Sequence, residues 1–184
     1  MNFETMIRSS FEFISAASIN DIICRLSKEI NEELSDKKNI IVVPLLHGGS
    51  VLSTRLQEHF TFPYTMGYIH TQLYEKGNKN SGRVIVKNKH LPYDMLKNTV
   101  LLIDDIFDSG KTMAYANNLL KSFWNVPHLY SVVLLEKDNE RTEEINKYRP
   151  NFVGKIISRD VFVFGMGMDY DGYWRGLNSV RVMF

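Results

Sequence analysis

Val100-Leu101-Leu102-Ile103-Asp104-Asp105-Ile106-Phe107-Asp108-Ser109-Gly110-Lys111-Thr112 runs four apolar residues straight into two adjacent carboxylates. A third acid follows three positions later, and a Gly-containing turn then opens an amphipathic segment. An uninterrupted apolar run suits a strand buried on both faces, as in a parallel sheet. Such a strand ends at the carboxyl edge of its sheet, where open α/β folds place their ligands. Three neighbouring acids repel one another unless a cation or hydroxyl donors meet them. Ser109, Gly110 and Thr112 stand where hydroxyls and backbone N–H groups at a helix start can hold a phosphate. Carboxylates beside a phosphate cradle point to a ligand that is part sugar and part phosphate, with a divalent ion nearby. A plain turn and helix cap with solvated acids is the competing account, and it explains one such acid better than the whole set. A P-loop is excluded, because G-x-x-x-x-G-K-T requires Gly where this chain has Asp105.

Outward from that stretch, strand and helix patterns alternate. Residues 39–46 read as a buried strand rich in Ile and Val, ending in Leu45-Leu46-His47-Gly48-Gly49-Ser50. A helical pattern continues through His59. Paired glycines between strand and helix allow close backbone approach, which suits an anion but is common in βα turns. Before it, Ile19, Ile22, Ile23, Leu26, Ile30 and Leu34 mark one helical face over residues 18–36, with Ser18 and Asp21 as its cap. Residues 1–16 show no period and read as an irregular arm.

Beyond Pro63, residues 64–74 read as a strand and 84–87 as its return, with a polar, Gly-containing loop between that serves as a connection or a lid. Met113, Ala116, Leu120 and Phe123 give the helix after the acidic motif its buried face. Residues 130–135 form the next apolar strand, ending at Glu136-Lys137. Residues 138–148 are charged and read as a solvated turn or short helix, and 152–157 and 161–164 as short strands. This alternation implies an α/β fold with a mainly parallel central sheet flanked by helices. The last thirty or so residues lose the alternation and read as an irregular cap.

Composition narrows the classes. At 184 residues the chain suits one domain with a substantial core. A formal net charge of +1 gives no footprint for nucleic acid or an anionic membrane. One cysteine excludes an internal disulfide and fits a reducing, cytoplasmic setting. Cys24 lies in a helical pattern and reads as a small buried hydrophobe. Glu4, Arg8 and Glu12 interrupt any signal-peptide core, and no apolar run approaches membrane-spanning length.

The acidic stretch resembles the phosphoribosyl-pyrophosphate (PRPP) binding motif of type I phosphoribosyltransferases. A second signal lies in Phe162-Val163-Phe164-Gly165-Met166-Gly167-Met168-Asp169-Tyr170 and Tyr173-Trp174-Arg175-Gly176-Leu177. As composition alone this is a hydrophobic cap with Gly turns, although an aromatic face there can also stack a heterocycle. The order Phe-Val-Phe-Gly-x-Gly-x-Asp-Tyr-x-x-x-x-Arg-x-Leu resembles the C-terminal hood of hypoxanthine-guanine phosphoribosyltransferases. The resemblance covers about residues 40–180 in order and spacing. It implies the type I phosphoribosyltransferase fold as a single domain, with a core of about 37–150 and a small hood from about 1–17 and 151–184.

The same resemblance implies the site. Asp104 and Asp105 would bind the ribose hydroxyls, and Ile106, Phe107, Asp108, Ser109, Gly110, Lys111 and Thr112 would wrap the 5′-phosphate. Asp108 would be the general base beside the purine's N7. Leu46, His47, Gly48 and Arg175 would meet pyrophosphate, and Tyr74 would sit on the lid. Phe162 would stack on the purine and Val163 would read its edge. Lys137 would donate to a 6-oxo group, a contact that disfavours adenine because an ammonium only donates. Asp169 would lie near the purine and a second metal ion. Mg²⁺ is the implied cofactor, held mostly indirectly by Asp104, Asp105 and Asp169. The implied substrates are PRPP and a 6-oxopurine, and the implied assembly is a homodimer or homotetramer. Three departures stand out: Asp104 where Glu is usual, His47 where many relatives have Lys, and Leu73 where the lid pair is Ser-Tyr. A xanthine-preferring enzyme and a non-catalytic regulator of the same fold are the alternatives.

Overall fold

The computed structural model describes residues 2–74, 83–91 and 98–183. In chain order the elements begin with α1 (Phe3–Arg8), β1 (Ser10–Ile14), α2 (Ala16–Leu34), β2 (Ile40–Leu46) and α3 (Gly48–Gln57). They continue through β3 (Tyr64–Met66), β4 (Tyr68–Tyr74), β5 (Arg83–His90), β6 (Thr99–Phe107) and α4 (Lys111–Trp124). The chain ends with β7 (His128–Lys137), α5 (Glu143–Asn146), β8 (Phe152–Ile157), β9 (Val163–Phe164) and β10 (Val180–Met183).

The large sheet runs β5-β4-β2-β6-β7-β8, with β3 also on β2. Every pairing in it is parallel except the β4–β5 hairpin. Alternate residues of each central strand enter different cores. Val42 of β2, Leu101 and Ile103 of β6 and Val132 of β7 pack with Ile19, Ile23, Leu26 and Ile30 of α2 and Leu52 and Leu56 of α3. Val43, Leu102 and Val133 pack instead with Met113, Ala116 and Leu120 of α4. A sheet covered on both faces explains why β6 reads as a continuous apolar run.

The strand expected over 64–74 is interrupted at Gly67. Its two parts keep one register on β2, with Ile40 opposite Tyr64 and Leu45 opposite Ile69. The end of β5 crowds the break, since a β-carbon at Gly67 would lie 2.8 Å from the His90 carbonyl oxygen. The return strand is also longer than expected, extending to His90.

Several expectations are corrected. Residues 1–16 are not an irregular arm, because α1 is capped by Asn2 and β1 pairs antiparallel with β10. The α2 helix starts earlier than Ser18: Ser15 is the N-cap and accepts from the Ser18 N–H at 3.2 Å. Cys24 is exposed rather than buried. It sits roughly 120° around the helix from the centre of the stripe formed by Ile19, Ile23, Leu26, Ile30 and Leu34. Phe123 is 78% exposed. The 3.6-residue period carries the stripe from Leu120 to Trp124, which packs on the core in its place. The expected strand over 161–164 shortens to β9.

A second, three-stranded sheet runs β1-β10-β9 and joins the two ends of the chain. Arg181 ties it, donating from Nε to Ser10 Oγ at 2.9 Å and from Nη2 to the Ser10 carbonyl at 3.0 Å. Although the expected hood opens at residue 151, β8 pairs with β7 in the large sheet. The second sheet therefore draws only on residues 10–14, 163–164 and 180–183. No helix among the described residues is long and apolar enough to cross a membrane.

Candidate active site

The order in which strands are added to the sheet reverses between the parallel neighbours β2 and β6. From β2 the chain moves outward to β4 and β5, whereas β6 leads the other way to β7 and β8. The helices that follow these two strands cover opposite faces of the sheet. This is a topological switch point, and a crevice opens there beyond the strands' carboxyl ends. The crevice here is a cavity of about 930 Å³. Leu46, His47 and Gly48 line it after β2, Asp104 to Thr112 at the end of β6 and start of α4, and Lys137 at the end of β7. Phe162, Val163, Asp169 and Arg175 of the C-terminal segment close it. Every residue expected at the site lines this cavity except Tyr74. The side chain of Tyr74 and the loop that follows it lie outside the described residues.

Asp104 and Asp105 are each only 8% exposed. Their carboxylates turn back on the chain, Asp104 Oδ1 accepting from the Asp105 N–H at 3.0 Å and Asp105 Oδ1 from the Ile106 N–H at 2.8 Å. Burial, reinforced by the adjacent negative charge of Asp105, holds the Asp104 carboxyl well above the usual carboxylate range. Burial also raises Asp105, against the opposing effects of its hydrogen bonds and of Arg175. Two buried acids without an ion-pair partner among the described residues are a receptor for hydroxyls or a cation.

Two helix N-termini open onto the same cavity. Among the described residues α1, α2 and α5 carry side-chain caps from Asn2, Ser15 and Thr142. Neither α3, which starts after His47, nor α4, which starts after Gly110, has one. Neither has an acid in its first turn. Their positive dipole ends therefore face the cavity with neither an N-cap side chain nor a first-turn acid, an arrangement that suits an anion. The α3 start lies against β6, because a β-carbon at Gly48 would fall onto the Asp105 carboxylate. From the other side Gly167, at φ +104°, brings the C-terminal segment against the Gly48 carbonyl. The Leu46–His47 peptide between β2 and α3 is cis.

At the far end of the cavity Lys137 Nζ lies 3.2 Å from Asp108 Oδ2. Asn139 Nδ2 donates to Asp108 Oδ1 at 2.6 Å. Phe162 lines the cavity and is 54% exposed, with the Tyr170 ring nearly perpendicular to it at 5.9 Å. Asp169 and Arg175 pair at 2.6 Å. Arg175 also donates to the Gly167 carbonyl at 2.6 Å, and Asp169 accepts from the Gly172 N–H at 2.7 Å.

Sequence reasoning missed several residues. His70, Thr71 and Gln72 of β4 line the cavity, and the His70 ring lies 4.5 Å from that of His47. The parallel register of β2 and β4 produces that contact, and neither strand carries a local sign of it. Glu136 and Arg141 were also missed. They form a buried ion pair at 3.4 Å, although 138–148 reads as solvated.

A family model described as "Phosphoribosyl transferase domain" matches residues 15–171. The hypoxanthine phosphoribosyltransferase of Buchnera aphidicola subsp. Schizaphis graminum is 32% identical over 173 residues, covering 93% of this chain and 94% of its own. The hypoxanthine-guanine phosphoribosyltransferase of Aquifex aeolicus is 33% identical over 159 residues, covering 86% and 85%. The chain belongs to the hypoxanthine-guanine phosphoribosyltransferase family. A crystal structure of a hypoxanthine phosphoribosyltransferase from Staphylococcus aureus superposes with a TM-score of 0.87 at 25% identity, covering 100% of this chain and 97% of that one. The mostly parallel sheet and its helices are thus the architecture of this family.

Proposed function

We propose that this phosphoribosyltransferase moves the 5-phosphoribosyl group from PRPP to N9 of hypoxanthine or guanine, giving a nucleoside monophosphate and pyrophosphate. The observation that carries this reading is the pair of uncapped helix N-termini flanking two buried acids in one cavity. PRPP has two anionic ends separated by a ribose diol, which is the charge pattern this arrangement complements. The N-terminus of α4, with Ser109 and Thr112, takes the 5′-phosphate. The α3 end, with Leu46, His47, Gly48 and Arg175, takes the pyrophosphate. Asp104 and Asp105 accept from the ribose hydroxyls.

The purine lies on the Phe162 ring, with Val163 at its edge and Lys137 donating to its 6-oxo group. Asp108 accepts the N7 proton as N9 attacks the anomeric carbon. The anomeric C–O bond breaks through an oxocarbenium-like state, which the buried carboxylates favour. Tyr74 and the adjoining loop exclude water from that state.

The donor set fits Mg²⁺ only in a particular way. Among the described residues no three His, Cys, Asp or Glu side chains converge into a protein cage. Asp104, Asp105 and Asp169 would offer hard oxygen atoms to such an ion, mostly indirectly, with the substrate's own oxygens supplying the rest. The ion, when bound, offsets the charge of the leaving pyrophosphate. The proposal also includes a homodimer or homotetramer in the cytoplasm. The single cysteine supports a reducing compartment.

Product formation from PRPP and Mg²⁺ with hypoxanthine, guanine, xanthine and adenine offered separately tests the reading. Turnover of hypoxanthine or guanine with adenine refused is the expected result. Exclusive use of xanthine would move the base assignment, and no turnover despite tight PRPP binding would remove the enzyme assignment.

A further inference from the structure

Arg141 sits in a run of charged residues, yet its side chain is only 5% exposed. Its guanidinium lies over the Phe107 ring, 4.5 Å from the centroid. A guanidinium has five N–H donors in a fixed fork, and here five acceptors meet it. Nε donates to the Asp108 carbonyl at 2.8 Å, and Nη2 to the carbonyls of Phe107 at 2.9 Å and Lys137 at 2.5 Å. Nη1 donates to Glu136 Oε1 and to the Asn139 carbonyl, both at 3.4 Å. Glu136 is itself 3% exposed and anchored from outside by Arg149 Nη2 at 3.0 Å.

The acceptors have a common feature. Asp108 makes two side-chain contacts, with Lys137 and with Asn139. Arg141 grips the backbone of Asp108 and of both those partners, and of Phe107, where β6 ends. It is thus a strut between the ends of β6 and β7, which hydrogen-bond as a parallel pair only as far as Phe107 and Glu136.

We propose that Arg141 is a positioning residue for phosphoribosyl transfer, fixing the Asp108 carboxylate against the Lys137 ammonium without touching substrate. The inference rests on the function proposed above. Lysine in its place keeps the charge but offers three donors from one atom, which cannot span both strand ends. Arg141→Lys should lower kcat/KM for the base by roughly tenfold or more. The KM for PRPP should stay within about threefold, since its phosphate contacts come from α3 and α4. Free guanidinium at non-denaturing concentration should restore part of the activity of Arg141→Ala and none of that of Asp108→Asn.

A crystal structure of Arg141→Lys, or of Arg141→Gln should the lysine variant not fold, gives a readout independent of turnover. The Lys137–Asp108 separation should open beyond about 4 Å. A retained pair, or equal losses in base and PRPP parameters with no guanidinium rescue, would overturn the positioning role. A wild-type protein that turns over no purine would sink the functional reading alone, and the crystallographic comparison would still decide the strut.

Discussion

Lys137 Nζ and Asp108 Oδ2 stand 3.2 Å apart, joining the end of β7 to the loop after β6. The two side chains differ in environment, Lys137 being 12% exposed and Asp108 50%. The cation is therefore the more enclosed of the two and the acid the more open, and an incoming purine would present N7 to that acid. Replacing Asp108 by Asn keeps the shape and the hydrogen-bond reach but removes the proton acceptor. We expect Asp108→Asn to lower kcat by roughly tenfold or more with PRPP affinity little changed. Steady-state kinetics with hypoxanthine and a PRPP binding titration check this, and an unaltered kcat would take Asp108 out of the general-base role.

Asp104 and Asp105 hold protons to higher pH in the folded chain than in the unfolded one. For such groups the native state binds more protons than the unfolded state, so stability falls as pH rises. Their contribution is fully present below the ordinary carboxylate value of 3.8 and is lost through the raised folded values. Asp104→Asn removes the larger part of this dependence. At pH 7 the variant should therefore be more stable than the wild type, and the stability difference should shrink as pH falls toward about 4. Urea melts of both proteins across that range measure the difference, and a variant less stable at pH 7 would contradict the sign. The same substitution should weaken PRPP binding, since a ribose acceptor is lost.

How much of this was legible in the sequence differs from element to element. The β6 stretch announced itself because both faces of that strand are buried, so hydrophobicity and acid placement carry the fold and the site together. The N-terminal strand β1 did not. Its buried positions are Ser10 and Ile14, while Phe11 is 42% exposed, so its apolar pattern marks the wrong face. Ser10 is tolerated there because its hydroxyl donates to the Met6 carbonyl at 2.7 Å and accepts from Arg181 Nε at 2.9 Å, contacts no periodicity reveals. His70 entered the cavity through strand register, and Arg141 through five acceptors spread over residues 107–139. Long-range geometry of that kind leaves no local mark on a sequence.

Gly48 has no room for a side chain, because a β-carbon would land on the Asp105 carboxylate and the contact cannot be relieved toward Gly167. Gly48→Ala must push the start of α3 away from β6 or turn Asp105 out of place. A destabilisation of about 1–3 kcal/mol is expected, together with a clear loss of PRPP affinity. Gly176→Ala is the matched control, since nothing lies within 4 Å of a β-carbon there. Thermal melts and PRPP titration of the two variants test the point, and equal behaviour would show that the α3–β6 contact yields without cost.

The proposed reading of the 6-position by Lys137 rests on its having donors alone. A 6-oxo group would accept from it, whereas the 6-amino group of adenine also presents hydrogens and would leave an N–H facing an ammonium. Lys137→Gln supplies both an amide donor and a carbonyl acceptor at the same place. The ratio of kcat/KM for hypoxanthine over adenine should therefore fall by about tenfold or more, mainly through loss on hypoxanthine. The same substitution leaves Asp108 without its cation, so turnover with every base should drop as well. Competition assays with the two purines separate these effects. An unchanged ratio alongside reduced turnover would mean that Lys137 acts only through Asp108 and that the 6-position is read elsewhere, with the edge-lining backbone near Val163 as the next place to look.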